Sequence, residues 1–287
     1  MHYADYKTIL SATNGMNVYR GCTHGCIYCD SRSLCYKIEH DFEDIRVKRN
    51  ASSILDRQLS QKRKRCMIGT GAMCDPYIPL EEELGVTRSC LQVIARHGFG
   101  LAIQTKSARI LRDAGLLTEI HKKARCVVQT TLTTHDEGLC RILEPHVCVT
   151  EERVRMLEAF RDMGIPTVVW LSPILPFIND TPQNLEGILD GCIRAGVRGI
   201  LCFGFGMTLR EGNREYFYRQ LDAHFPGMKE RYIRTFGARY EVKSPHDAAL
   251  TALFKRVCGQ HGILHRPDDV FAYLRDLTTG VEQTSLI

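Results

Sequence analysis

Short apolar or β-branched runs recur along the chain at Met16–Tyr19, Cys66–Gly69, Leu101–Thr105, Cys126–Leu132, Thr167–Leu171 and Gly199–Phe203. Each is bounded by turn-forming or polar residues and has the length of a strand, so six strands are predicted. Between them, apolar residues return at helical spacing over Ile54–Gln61, Thr87–His97, Ile110–Lys122, Glu151–Met163 and Leu185–Ala195, which predicts crossover helices. Strand–helix alternation at intervals of about 30 residues implies an α/β fold: a parallel sheet with helices outside, because parallel strands need long crossovers. The pattern leaves open whether the sheet is flat or curled into a barrel. Beyond Arg210 the spacing is helical over Tyr216–Phe225, Asp247–His261 and Asp268–Asp276, with breaks at Phe225-Pro226-Gly227 and Ser244-Pro245. This part reads as a helical C-terminal cap over the open side of the sheet.

Composition narrows the class. The 287 residues are 44% hydrophobic and 25% charged, enough to bury a full core without staples. No apolar stretch approaches the ~18 residues needed to span a bilayer, and Met1–Lys7 is polar and aromatic, so a cytoplasmic location with reduced thiols is expected. Most of the 13 cysteines then read as small buried hydrophobes, as at Cys126, Cys192 and Cys202. A net charge of +5 neither requires nor excludes an anionic polymer. The one dense basic run, Lys62-Arg63-Lys64-Arg65, sits at a helix end, where it complements the helix dipole or contacts nucleic acid.

Three cysteines stand apart from the rest: Cys22, Cys26 and Cys29, in Arg20-Gly21-Cys22-Thr23-His24-Gly25-Cys26-Ile27-Tyr28-Cys29. A cubane iron–sulfur cluster normally takes four thiolates, so three close-set ones predict a [4Fe–4S] cluster with one open iron. A zinc site completed by Cys35 or His24 is the alternative, although a three-residue gap between cysteines is not among the usual finger spacings.

The C-x3-C-x2-C spacing, with Tyr28 before the last cysteine, resembles the signature of the radical S-adenosylmethionine (SAM) superfamily, in which SAM chelates the open iron. Further runs resemble its spore photoproduct lyase-like branch: Asn17–Cys22, Gly69–Tyr77, Gln104-Thr105-Lys106-Ser107, Leu143-Glu144-Pro145 and Pro173–Asp180. The resemblance implies a partial (β/α)6 barrel in one domain, with a core over about 14–210 and the extension over 211–287. It also implies that Cys22, Cys26 and Cys29 hold the cluster, Tyr28 lies against the SAM adenine, Gly69, Thr70 and Gly71 meet the methionine end, and Lys106 pairs with the SAM carboxylate. Thr131 and Thr133 end the fourth strand and either contact SAM or substrate or are ordinary strand residues.

Two positions depart from spore photoproduct lyase. Its hydrogen-donating cysteine aligns with Ala72, and a tyrosine after the last cluster cysteine is replaced by Asp30. Cys74 is then a candidate hydrogen donor or a passive cysteine, and Asp30, with Asp75, Asp180 and Glu144, offers carboxylates to a polar or cationic substrate. Asp75 and Asp180 also fit plain turn roles. The expected activity is a radical lyase acting on a nucleobase-type small molecule, with queuine lyase of queuosine salvage as the relative that fits the departures. The implied partners are a reductant such as flavodoxin or ferredoxin. Nucleic-acid repair is the runner-up, and a non-catalytic metal-binding regulator is the alternative of another class.

Overall fold

The computed structural model of the chain describes residues 1–277. Its strands are β1 (His2–Ala4), β2 (Gly15–Met16), β3 (Tyr19–Arg20), β4 (Arg46–Lys48), β5 (Met67–Thr70), β6 (Gly100–Gln104), β7 (Cys126–Thr131), β8 (Thr167–Trp170), β9 (Gly199–Leu201), β10 (Gly206–Thr208) and β11 (Glu241–Lys243). Its helices are α1 (Ala51–Ser60), α2 (Glu81–Leu84), α3 (Val86–His97), α4 (Ala114–Lys123), α5 (Glu137–Leu143), α6 (Thr150–Asp162), α7 (Pro182–Arg194), α8 (Asn213–His224), α9 (Met228–Phe236), α10 (Asp247–Gln260) and α11 (Pro267–Arg275).

The principal sheet has the order β2-β5-β6-β7-β8-β9, with every neighbouring pair parallel. This is the expected α/β architecture, a partial (β/α) barrel. Alternation along each strand sorts the side chains. Leu101, Ile103, Cys126, Val128, Val169 and Ile200 face the crossover helices and join the main core. Met67, Ala102, Val127, Val168 and Leu201 face inward and pack with Val270 and Leu274 of α11, which closes the inside of the curved sheet. Because both faces are covered, β7 reads Cys-Val-Val-Gln-Thr-Thr with every residue buried.

The predicted first strand, Met16–Tyr19, is divided. Gly15–Met16 pairs with β5 in the main sheet, whereas Tyr19–Arg20 pairs antiparallel with β4 in a separate sheet of order β1-β4-β3. One apolar run thus serves two sheets, which short-range pattern cannot reveal. The C-terminal cap is also more than helical. β10 pairs antiparallel with β11 from a distant part of the chain, and this ribbon overhangs the C-terminal rim of the barrel. Behind it, Phe217, Leu221, Tyr232, Phe236 and Val242 form a second core with Ile27 and Tyr28 of the cysteine loop.

Candidate active site

The register of the sheet brings the strand ends level: Thr131 opposes Trp170, and Trp170 opposes Leu201. Over this rim lies a cavity of about 690 Å³. Its floor is Gln104, Thr131 and Trp170 from strand ends, with Lys106 just beyond β6. One wall is the cysteine loop, from Cys26, Tyr28, Cys29 and Asp30 to Tyr36; the ribbon supplies Met207, Glu241 and Lys243 opposite. The C-terminal ends of barrel strands are where such folds build their sites.

The cysteine loop is held by its backbone. Cys22 N–H donates to the Phe42 carbonyl at 3.0 Å, and Ile27 N–H to that of Leu143 at 3.0 Å. Gly21 has φ +89°, and a Cβ there would lie 2.4 Å from the Phe42 oxygen, so the close approach of loop to chain requires glycine. Burial pushes the Cys22 thiol up to about 12 and the Cys26 thiol higher still. A bound cluster would supply the positive charge that favours the thiolate form at such positions. Single-ion zinc fits less well. Thiolates on one tetrahedral zinc at about 2.3 Å lie within about 4 Å of one another. Among the described residues, the group of three or more His, Cys, Asp or Glu ligand atoms mutually within 4.8 Å is His2, His40 and Asp44, not the loop cysteines. Three unpaired cysteines spread wider than one ion allows suit a larger inorganic core.

Behind the loop lies a buried ionic network. Glu144 and Arg153 form an ion pair with neither side chain exposed, and Tyr28 Oη donates to Glu144. Burial alone would raise the Glu144 carboxyl, but Arg153 and then Lys106 outweigh it and hold the group below the usual range. Arg153 also donates to the carbonyls of Thr131, at 2.8 Å, and Cys148, at 2.9 Å. The network thereby fixes the loop to the end of β7. Lys106 Nζ lies 6.0 Å from the centre of the Tyr28 ring. Burial works against its charge, but Cys26 and Glu144 more than compensate, and its pKa is raised.

The expected site residues divide into two groups. Cys26, Cys29, Tyr28, Asp30, Lys106 and Thr131 line the cavity. Cys22 lies in the same loop behind them, half-buried. Gly69 faces the barrel interior, where a Cβ would meet nothing within 4 Å; Thr70 alternates to the helix side with Ile68. Gly71, at φ +98°, passes so close to β6 that a Cβ would lie 1.9 Å from the Gln104 oxygen. Thr133 lies beyond the lining, its hydroxyl buried without a partner. Cys74 is likewise outside the lining: its thiol donates to the Gly21 carbonyl at 2.7 Å, so as placed it supports the loop and does not face the cavity.

The carboxylates offered to a substrate are mostly occupied. Asp75 is buried and accepts from Thr105 Oγ1 at 2.7 Å and from the backbone N–H of Tyr77 and Lys106. Asp180 accepts from Phe177 N–H, a turn role, and from Ser244 Oγ in a distant segment. Asp30 does face the cavity, but it accepts from Tyr36 Oη at 2.8 Å and has Arg210 Nη1 at 3.6 Å, so its cation is already present. Trp170, Phe203, Tyr36 and Arg210 are cavity residues that the sequence reading missed. Trp170, the single tryptophan of the chain, lies one residue from the end of a predicted strand and could have been found that way. Arg210 carries no local signal, because Tyr36 and Tyr240, which it bonds, come from distant segments.

The chain is 29% identical over 225 residues to an uncharacterized protein of Mycobacterium tuberculosis, a match covering 76% of this chain and 65% of that one. It is 25% identical over 218 residues to an uncharacterized protein of Acidianus two-tailed virus, covering 70% and 69%. Thus the chain spans a little under two thirds of the mycobacterial relative. Among solved structures, spore photoproduct lyase complexed with dinucleoside spore photoproduct is similar in fold, with a TM-score of 0.61, 14% identity and coverage of 86% and 74%. A radical SAM methyltransferase from Kitasatospora setae, with cobalamin and a [4Fe–4S] cluster bound, gives a TM-score of 0.51 at 15% identity, covering 68% and 34%. Residues 16–215 match the profile of the Radical SAM superfamily, so with this barrel and this loop the chain belongs to that superfamily, whose cofactors are a [4Fe–4S] cluster and SAM.

Proposed function

We propose that this radical SAM enzyme is a lyase acting on a nucleobase-type small molecule, with a free modified base such as queuine the favoured substrate. When bound, the cluster and SAM supply a 5′-deoxyadenosyl radical that takes a hydrogen atom from the substrate. The chain's own part is to hold, orient and exclude water. Cys22, Cys26 and Cys29 are the residues for the cluster; Tyr28, Gly69, Gly71, Lys106 and Thr131 are those for SAM, with Lys106 bringing a cation to its carboxylate.

The observation that carries the substrate reading is an aromatic shelf in the cavity. Phe203 is 58% exposed, an unusual state for a phenylalanine, and its ring centre lies 6.1 Å from that of Trp170. Trp170 is itself fixed by an Nε1–H bond to Gln129 at 2.8 Å. A planar heteroaromatic ring would cover this shelf and remove apolar surface from water. The cavity volume also lies within the ~300–1,000 Å³ of small-molecule sites. The basic run Lys62–Arg65 precedes β5 and so lies at the opposite end of the barrel from the cavity. A polyanion bound there would not reach the cysteines, which favours a small substrate. Repair of polymeric DNA or RNA is the second reading, supported by the fold shared with spore photoproduct lyase.

The test is anaerobic turnover of reconstituted protein with SAM and a reductant such as reduced flavodoxin, following 5′-deoxyadenosine and base products by mass spectrometry. Queuine is expected to accelerate 5′-deoxyadenosine release and to yield a cleaved deazapurine. Stimulation by a DNA or RNA duplex and not by free bases, with salt-sensitive binding, would reverse the choice of substrate class.

A further inference from the structure

Away from the cavity, His2 of β1 meets His40 and Asp44 of the segment leading into β4, a second group of chemically competent side chains. His2 Nδ1 lies 2.8 Å from Asp44 Oδ2, the rings of His2 and His40 meet edge to face with centres 5.0 Å apart, and one ligand atom from each of the three residues lies within 4.8 Å of the others. His40 is arranged as a metal-binding imidazole is. Its Nδ1 lies 2.9 Å from the Asp41 carbonyl, which fixes that proton, and its Nε2 is buried without a partner. A ligating histidine characteristically donates its other N–H to a carbonyl or carboxylate in this way. The side chains of His2 and Asp44 are 37% and 41% exposed, so an ion can enter and keep water as a further ligand.

We propose that His2, His40 and Asp44 bind a divalent transition-metal ion of the zinc class, at a site separate from the cysteine loop. Two neutral imidazoles and one carboxylate are an ordinary donor set for such an ion, with water in the fourth position. Two cations border the site. The amino group of Met1 lies 2.9 Å from Asp44 Oδ1, and Arg46 Nε donates to His2 Nε2 at 3.0 Å. A metal on His2 Nδ1 places the ring proton on Nε2, so Arg46 must turn away and opposes loading. The site has a structural consequence for the loop. His40 and Asp44 flank Phe42, whose carbonyl accepts from Cys22 N–H, and Glu43, which pairs with Arg32. An ion there braces the segment on which the cysteine loop rests.

The test uses the full chain with its cluster in place, titrated with zinc chloride by calorimetry and measured by X-ray absorption at the zinc edge. One zinc is expected, with nitrogen or oxygen neighbours at about 2.0–2.1 Å and no sulfur shell at about 2.3 Å. His40→Ala and Asp44→Asn should each weaken binding at least about tenfold, since even outer-shell partners of a metal site are worth about 10- to 100-fold. Arg46→Ala should tighten it, a gain that a purely structural ion-pair cluster does not predict. All three positions are half-buried, so cluster absorbance and the melting temperature report that each variant is folded. No retained zinc, a sulfur shell, or an affinity unmoved by His40→Ala would overturn the proposal.

Discussion

At the scale of single residues, the site depends on a few buried charges whose partners are distant in sequence. Glu144 and Arg153 are the plainest case. Removing one member of a fully buried pair leaves the other unpaired, at a cost of about 3–5 kcal/mol. Glu144→Gln should therefore lower the melting temperature by several degrees at neutral pH. The sign of its pH dependence follows from the depressed carboxyl. A group whose folded pKa lies below its unfolded value of about 4.3 stabilises fully above that value and loses the contribution as pH falls through the folded pKa. The gap between wild type and Glu144→Gln should accordingly be full at pH 7 and narrow below about pH 4; a gap that widens in acid would contradict the pairing. Sequence marked Glu144 as a residue of interest but assigned it to substrate, because Arg153 lies on α6 beyond a turn and only the packed structure brings the two together. Cys74 shows the same limit: proximity in sequence to Ala72 suggested a donor, whereas the thiol is spent on the Gly21 carbonyl.

At the scale of elements, strand and helix periodicity carried most of the fold, since buried parallel strands and amphipathic crossovers each leave a local pattern. The strands Cys126–Leu132 and Thr167–Leu171 were legible to within one residue because β-branched residues fill them and both faces are covered. The ribbon β10-β11 was not, because each strand is three residues long and its partner lies more than thirty positions away. Yet this ribbon forms one side of the cavity. Gly206 makes it possible: a Cβ there would lie 2.2 Å from the Val242 oxygen. Gly206→Val should open the ribbon, leaving SAM cleavage in the absence of substrate near its normal rate while sharply reducing its stimulation by substrate. Kinetics of 5′-deoxyadenosine release with and without substrate would check this, and equal loss of both rates would refute a substrate-side role for the ribbon.

At the scale of the whole molecule, the parallel barrel sets the strand ends level, the cysteine loop and the ribbon close over them, and α11 fills the opposite side. Among the described residues no helix is long and apolar enough to cross a membrane. The cysteine triplet stands out in sequence because its spacing is local. The rest of the cavity does not, because Phe203, Arg210 and Tyr36 meet only through tertiary placement. The central claim is that three cysteines hold a cluster with an iron left free for SAM. It is tested most directly by electron paramagnetic resonance of the anaerobically reduced protein, with and without SAM. The expected result is a [4Fe–4S] signal that is absent from Cys26→Ala and whose g-values shift when SAM is added. A colourless protein without that signal, or a spectrum that SAM leaves unchanged, would contradict it.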